Sequence, residues 1–206
     1  MMNIVGINGS HRAGKSTSAL LREALAVAEE HGASVEMVEL AQLDINYCIG
    51  CNSCLRSTAC AIHDDMDALY MKMRNADGIM LATPNYFSNV SARMKCFIDR
   101  TRPLHMVENQ LKGKVAGVAV TSGLSNCGGE AAGAALRDFC ATHEMIVVNP
   151  RPTGPVRASQ VLGTQAKAFT EGGGVEYRKS AALDPVALEY ARQLGADMVS
   201  MITSLS

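Results

Sequence analysis

Apolar positions fall into five short runs, and between most of them they recur at helical spacing. Asn3 to Asn8 (NIVGIN) predicts a first strand ended by Gly9-Ser10, and a helix begins near Ser16 with Leu20, Leu21, Ala24, Leu25 and Ala28 on one face. Residues 34–40 (SVEMVEL) alternate as a second strand. Asp64 and Asp65 form a natural N-terminus for a helix carrying Met66, Leu69, Tyr70 and Met73. Gly78 to Thr83 (GIMLAT), halted by Pro84, reads as a strand buried on both faces, and a helix from about Val90 to Arg100 follows. Lys114 to Thr121 is the fourth strand, residues 128–143 an alanine-rich helix with Leu136, Phe139 and Cys140 inward, and Met145 to Val148 the fifth strand. Residues 149–183 break this rhythm with Pro150, Pro152, Pro155 and Gly172-Gly173-Gly174, and are expected to form a lid or a subunit contact. Asp184 as cap and Pro185 open a last helix whose predicted inner stripe is Val186, Tyr190, Leu194, Met198 and Ile202. Parallel neighbours need crossover helices, so the expectation is one α/β domain over 1–206: a doubly wound five-stranded parallel sheet in the order 2-1-3-4-5, helices on both faces.

Composition narrows the function classes. Charged residues make up 19% of the chain and the net charge is −1, which argues against nucleic acid, a membrane surface or a disordered tail. No run reaches membrane-spanning length and the N-terminus lacks a signal core, so a cytoplasmic location is expected. There, clustered cysteines are more often ligands or redox groups than disulfides. Cys96, Cys127 and Cys140 lie in helical patterns and are read as buried, inert thiols.

The chemistry concentrates in two loops. Ile45 to Asp67 holds Cys48, Cys51, Cys54 and Cys60, spaced C-x2-C-x2-C-x5-C. Three thiols at such intervals curl around one face of an iron-sulfur cube and the fourth closes the remaining corner. The competing readings are a zinc site, whose knuckles normally come as two separated pairs, and loop thiols that bind nothing. Gly9 to Ser16 satisfies G-x4-G-K-[ST], the triphosphate loop, and gathers hydroxyls, amides, Arg12 and Lys15 at a helix N-terminus. A nucleoside triphosphatase also needs an acidic residue at the end of a neighbouring strand. GIMLAT ends in Thr83-Pro84-Asn85 and KVAGVAVT in Thr121-Ser122-Gly123.

With these loops in view, the chain resembles the NADPH-dependent FMN reductase branch of the flavodoxin-like superfamily and, within it, the iron-sulfur flavoproteins. The resemblance covers residues 3–148 and rests on GSHRAGKST, the cysteine run followed by Asp64-Asp65-Met66, and Thr83-Pro84-Asn85-Tyr86-Phe87 leading into Met94-Lys95 and Ile98-Asp99-Arg100. It implies that Ser10, Arg12, Ser16 and Thr17 hold the FMN phosphate, helped by Lys15, where relatives carry a smaller residue. It implies further that Pro84, Asn85, Tyr86 and Phe87 run along the isoalloxazine ring and that Ser122, Gly123, Gly128 and Gly129 border its other side. Core packing is the ordinary alternative for Tyr86 and Phe87. Asp99 and Arg100 are expected to anchor a helix end or an interface. A [4Fe-4S] cluster on Cys48, Cys51, Cys54 and Cys60 is implied by the iron-sulfur members, whereas similar reductases keep the first three cysteines without one.

The first functional reading is therefore an FMN-dependent oxidoreductase passing electrons between FMN, the cluster and a ferredoxin-like carrier or small acceptor, with no catalytic side chain required. A cluster-free NAD(P)H:acceptor reductase, acting on a quinone, nitroaromatic or free flavin, is the alternative. A flavodoxin-like carrier would be more acidic, and a P-loop NTPase is the outsider. The resemblance also implies a homodimer or homotetramer.

Overall fold

The computed structural model describes residues 2–151 and 158–206; Pro152 and Pro155 of the excursion lie outside the described residues. The main sheet runs β2 (Ser34–Glu39), β1 (Asn3–Asn8), β3 (Gly78–Pro84), β4 (Val115–Ser122), β5 (Ile146–Val147), all parallel. The expected order is met. Side chains alternate between the two faces, as the pleat requires. Val5, Ile7, Ile79, Leu81, Val118 and Val120 pack under α2 (Met66–Asn75), α3 (Ala92–Arg100) and α4 (Gly129–Thr142), while Ile4, Met80, Ala82, Val115 and Ala119 pack under α1 (Ser16–Glu30) and α5 (Pro185–Leu205). β3 and β4 are buried throughout, as their continuous apolar runs demand.

The excursion is not structureless. β6 (Val161–Thr164) pairs parallel with Ala119–Ser122 of β4, whereas β5 pairs only with Val115 and Ala116. The fifth sheet position is thus shared by two short strands, and β6 supplies the half nearest the strands' carboxyl ends. β7 (Ala166–Phe169) and β8 (Val175–Tyr177) form an antiparallel hairpin beyond it. Asp184 fastens the segment: Oδ1 accepts from the amides of Val186 and Ala187, capping α5, while Oδ2 accepts from the Thr164 amide and hydroxyl.

Two expectations are corrected. Val186 is 61% exposed, and the buried face of α5 is Ala187, Ala191, Leu194, Gly195, Met198, Val199 and Ile202. Leu194, Met198 and Ile202 of the expected stripe are buried, Tyr190 is half-buried, and the close approach to α1 at Gly195 turns the start of the face toward Ala187 and Ala191. Cys127 is exposed in the loop before α4, because Gly128 adopts φ +86° and the helix starts after it; Cys96 and Cys140 are buried as expected. Burial pushes the Cys140 thiol up to about 12 and also raises Cys96, which leaves both unreactive.

His143 sits buried at the end of α4 against Phe139 and His105. Burial, then the neighbouring His105, lowers its pKa from 6.5 to about 4. The unfolded chain takes up this proton below pH 6.5 and the folded one does not. Stability from this group is therefore complete above pH 6.5 and lost as the pH falls toward 4, by an amount on the order of 3 kcal/mol. Urea melts across this range are expected to show that decline, and His143→Phe is expected to flatten it.

Candidate functional site

The carboxyl ends of β1, β3 and β4 open onto one groove. Ser10, Arg12, Lys15, Ser16 and Thr17 line it from the first loop, Pro84, Asn85 and Tyr86 from the second, and Ser122 and Gly123 from the third. Ten sequence-predicted residues thus meet in one place. The loop after β1 is braced from below by the fully buried Asn8, whose Oδ1 accepts from the Ser10 amide at 3.0 Å and whose Nδ2 donates to Ser18 Oγ and Glu39. Glu39 also accepts from the amide of Gly14, which turns at φ +70°. Ser91 caps α3 through the Met94 amide and donates to the Gly9 carbonyl, tying that helix to the same loop.

The second loop closes in a tight turn. Tyr86 and Asn89 exchange both backbone hydrogen bonds, with Phe87 at φ 51° and Ser88 at φ 61° between them. Two consecutive non-glycine residues in the left-handed region are strained, and such strain collects at functional sites. The core-packing alternative fails for both aromatics: Tyr86 is 44% exposed and Phe87 fully so. Asn85 Nδ2 donates to Ser122 Oγ and to the Cys127 carbonyl, which locks the second loop to the third, while its Oδ1 is buried with no partner among the described residues. Phe87, Gly128 and Gly129 do not line the groove. A Cβ on Gly128 would lie 2.5 Å from Ser88 Cα and one on Gly129 would lie 2.7 Å from Leu162 Cδ1, so these glycines permit close packing behind the site.

Cys48, Cys51, Cys54 and Cys60 line a second pocket together with Ile62, Asp99, Arg100 and Arg102. Cys54 is buried in a short 3-10 turn and Cys60 half-buried, whereas Cys48 and Cys51 are exposed. Hydrogen bonds from Ser53 lower the Cys51 pKa and favour its thiolate. Among the described residues, no three His, Cys, Asp or Glu side chains are drawn together at the spacing of a single metal ion. Arg100, expected to anchor a helix end or an interface, anchors the cysteine loop. Its guanidinium reaches Asn46, Ile62 and Asp64, and Asp64 in turn accepts from the amides of Asn46 and Met66. Burial acts to raise the Asp64 pKa, but these hydrogen bonds and the Arg100 charge outweigh it and hold the group at about 2. Asp99 instead pairs with Lys95 at the surface.

A model of the family described as NADPH-dependent FMN reductase matches residues 2–153. The chain belongs to that family. It is an FMN-dependent oxidoreductase, which sets aside the P-loop NTPase reading of Gly9 to Ser16. It is similar to an iron-sulfur flavoprotein of Methanocaldococcus jannaschii, 37% identical over 203 residues that cover 98% of this chain and 97% of that protein. It is also similar to an iron-sulfur flavoprotein of Methanosarcina thermophila, 37% identical over 147 residues, covering 71% and 77% of the two chains. Among solved structures, RosB with a bound 8-demethyl-8-formylriboflavin-5'-phosphate intermediate superposes with a TM-score of 0.75 at 16% identity, covering all of this chain and 80% of the other. The NAD(P)H:acceptor oxidoreductase FerB of Paracoccus denitrificans superposes with a TM-score of 0.65 at 19% identity, covering 99% and 98%. At these identities the two structures show the fold.

Within this reductase fold, the excursion contributes residues that sequence reasoning missed. Gln165 and Ala181 line the groove beside Thr121, and Ser180 Oγ meets Ser16 Oγ at 2.8 Å. Only Asn8 carried a local signal, as a polar residue ending an apolar strand. The others are brought in by contacts between residues distant in the chain, the pairing of β6 with β4 and the hydrogen bond of Thr17 to Thr121, or by the return of the excursion. No helix among the described residues is long and apolar enough to cross a membrane.

Proposed function

We propose that this reductase is of the iron-sulfur flavoprotein type, with FMN in the groove and a [4Fe-4S] cluster on Cys48, Cys51, Cys54 and Cys60. The observation that carries the proposal is that four thiols of one loop line a single pocket, on a chain similar over nearly its full length to a protein named for both cofactors. The residues present suit the two groups. Four thiols that share one pocket suit a cluster, whose ligands stand on separate corners. The groove offers an anion the N-terminus of α1 with its hydroxyls and two cations, and the unmatched Asn85 Oδ1 offers an acceptor to a ligand N–H.

In this reading Ser10, Arg12, Ser16 and Thr17 bind the phosphate with Lys15 assisting. Pro84, Asn85, Tyr86 and Phe87 flank the ring, and Ser122 and Gly123 close the other side with Gly128 and Gly129 in support. FMN supplies two-electron chemistry and the cluster single-electron transfer, so the pair links a hydride or carrier donor to a one-electron partner. The protein's share is to hold both groups and limit access. The electron partner is a ferredoxin-like carrier or a small acceptor, the assembly a homodimer or homotetramer of one-domain chains, and the compartment the cytoplasm.

A cluster-free NAD(P)H reductase is the second reading, favoured by the family's nicotinamide donor. FMN, iron and acid-labile sulfide counted on anaerobically purified protein distinguish the two. The proposal expects about one flavin and about four irons with matching sulfide per chain. Flavin without iron supports the second reading. Replacing Asn85 by leucine is expected to weaken FMN binding by about 10- to 100-fold, read by recovery of flavin fluorescence, because a polar wall of the groove becomes apolar and the tie to Cys127 is lost.

A further inference from the structure

We infer that Arg100 is the positioning residue of the cysteine pocket: its four side-chain hydrogen bonds pin both ends of the cysteine loop, and its fifth N–H is held for the sulfur-bearing group that the pocket binds. The inference rests on the iron-sulfur reading and adds a residue to it. A guanidinium has five donors in a rigid fork. Here Nη1 donates to the Asn46 carbonyl at 2.7 Å and to Asp64 Oδ2 at 2.6 Å, and Nη2 to the Ile62 carbonyl and Asp64 Oδ1, both at 3.1 Å. Asn46 lies before Cys48 and Ile62 after Cys60, so one side chain fixes the two ends of the loop.

Nε is buried and has no partner among the described residues, and Arg100, only 1% exposed, lines the pocket with all four cysteines. A buried donor without an acceptor is costly, and native structures usually supply one. The thiols share that pocket with Arg100, and thiolates or inorganic sulfides accept hydrogen bonds. Asp64 balances the guanidinium charge, Tyr70 donates to the Arg100 carbonyl at 2.6 Å and fixes the end of α3, and Cys96 meets the Ile45 and Asn46 carbonyls rather than the guanidinium. Hydrogen bonds to cluster sulfurs raise the reduction potential and help retain iron. That is the role assigned to Nε–H.

The test uses the loaded protein and Arg100→Lys, which keeps the charge but not the fork, with flavin content and circular dichroism as controls of folding. The variant is expected to keep its flavin, to shift the cluster midpoint potential to a more negative value in an EPR-monitored titration, and to lose iron to a chelator about 10-fold faster or more. An unchanged potential and unchanged iron loss would overturn the role of Arg100 while leaving the cluster reading intact. Wild-type protein without iron and sulfide would overturn both. Should the lysine variant not fold, the double variant R100Q/D64N, which removes the ion pair without stranding a charge, is held to the same readouts. The wild-type protein provides a further check: the Arg100 Nε–H proton resonance is expected to shift when the cluster is reduced to its paramagnetic state, and an unmoved resonance would contradict the assignment.

Discussion

Cys54→Ala is expected to remove essentially all iron and sulfide while leaving FMN in place. Cys54 is the most buried thiol of the four, set in the 3-10 turn Ser53–Leu55, and lines the pocket. On the proposed cluster its loss would leave three ligands, two of them exposed. The groove is built from other loops, so flavin binding does not depend on the same residue. The expected readout is a fall from about four irons per chain to under about half an iron, with the flavin absorption unchanged. Retention of iron in the variant would mean that Cys48, Cys51 and Cys60 suffice or that another group closes the site. Loss of flavin together with iron would mean that the cysteine loop supports the groove, which its anchoring through Arg100 to the end of α3 does not require.

Gly195→Val carries the largest expected effect on stability. Even the first carbon of a side chain there would lie 2.2 Å from the Ala24 carbonyl oxygen and 3.1 Å from the Ala28 amide nitrogen, so α5 and α1 must move apart. The obstruction is backbone, which no rotamer change relieves. A loss of at least about 3 kcal/mol is expected, because separating the helices also exposes the face formed by Leu20, Leu21, Ala24, Leu194 and Met198. Function follows the same route, since α1 carries Ser16 and Thr17 at its N-terminus. Thermal unfolding in the absence of flavin measures the first effect, and flavin affinity of the surviving folded fraction the second. A variant with wild-type stability would show that the contact between these helices is looser than the Gly195 geometry implies.

What the sequence made legible, and what it hid, follows from the range of the interactions involved. The strand order was readable because β3 and β4 are unbroken apolar runs and each parallel neighbour needs an intervening helix. The groove was readable because the loops after β1, β3 and β4 carry their hydroxyl, cationic and aromatic residues locally, at the ends of those strands. The shared fifth sheet position was not, since VLGT is too short to signal a strand and is selected by its partner on β4. Without β6, neither Gln165 nor the contact of Ser180 with Ser16 could be anticipated. The first turns of the inner face of α5 were misread for a related reason. Leu194, Met198 and Ile202 were read correctly, but toward α1 the helix also packs through small residues, and Ala187, Ala191 and Gly195 complete the face. Cys127 was drawn into a helix by its alanine-rich neighbours, although Gly128 turns the chain before that helix begins.

The central claim is that one chain holds a two-electron flavin and a one-electron cluster. An anaerobic reductive titration of the purified protein tests it most directly, because it counts electrons. About three equivalents per chain, with flavin bleaching and a cluster EPR signal both developing, is the predicted result. Full reduction after about two equivalents, with only flavin absorption changing, would contradict it.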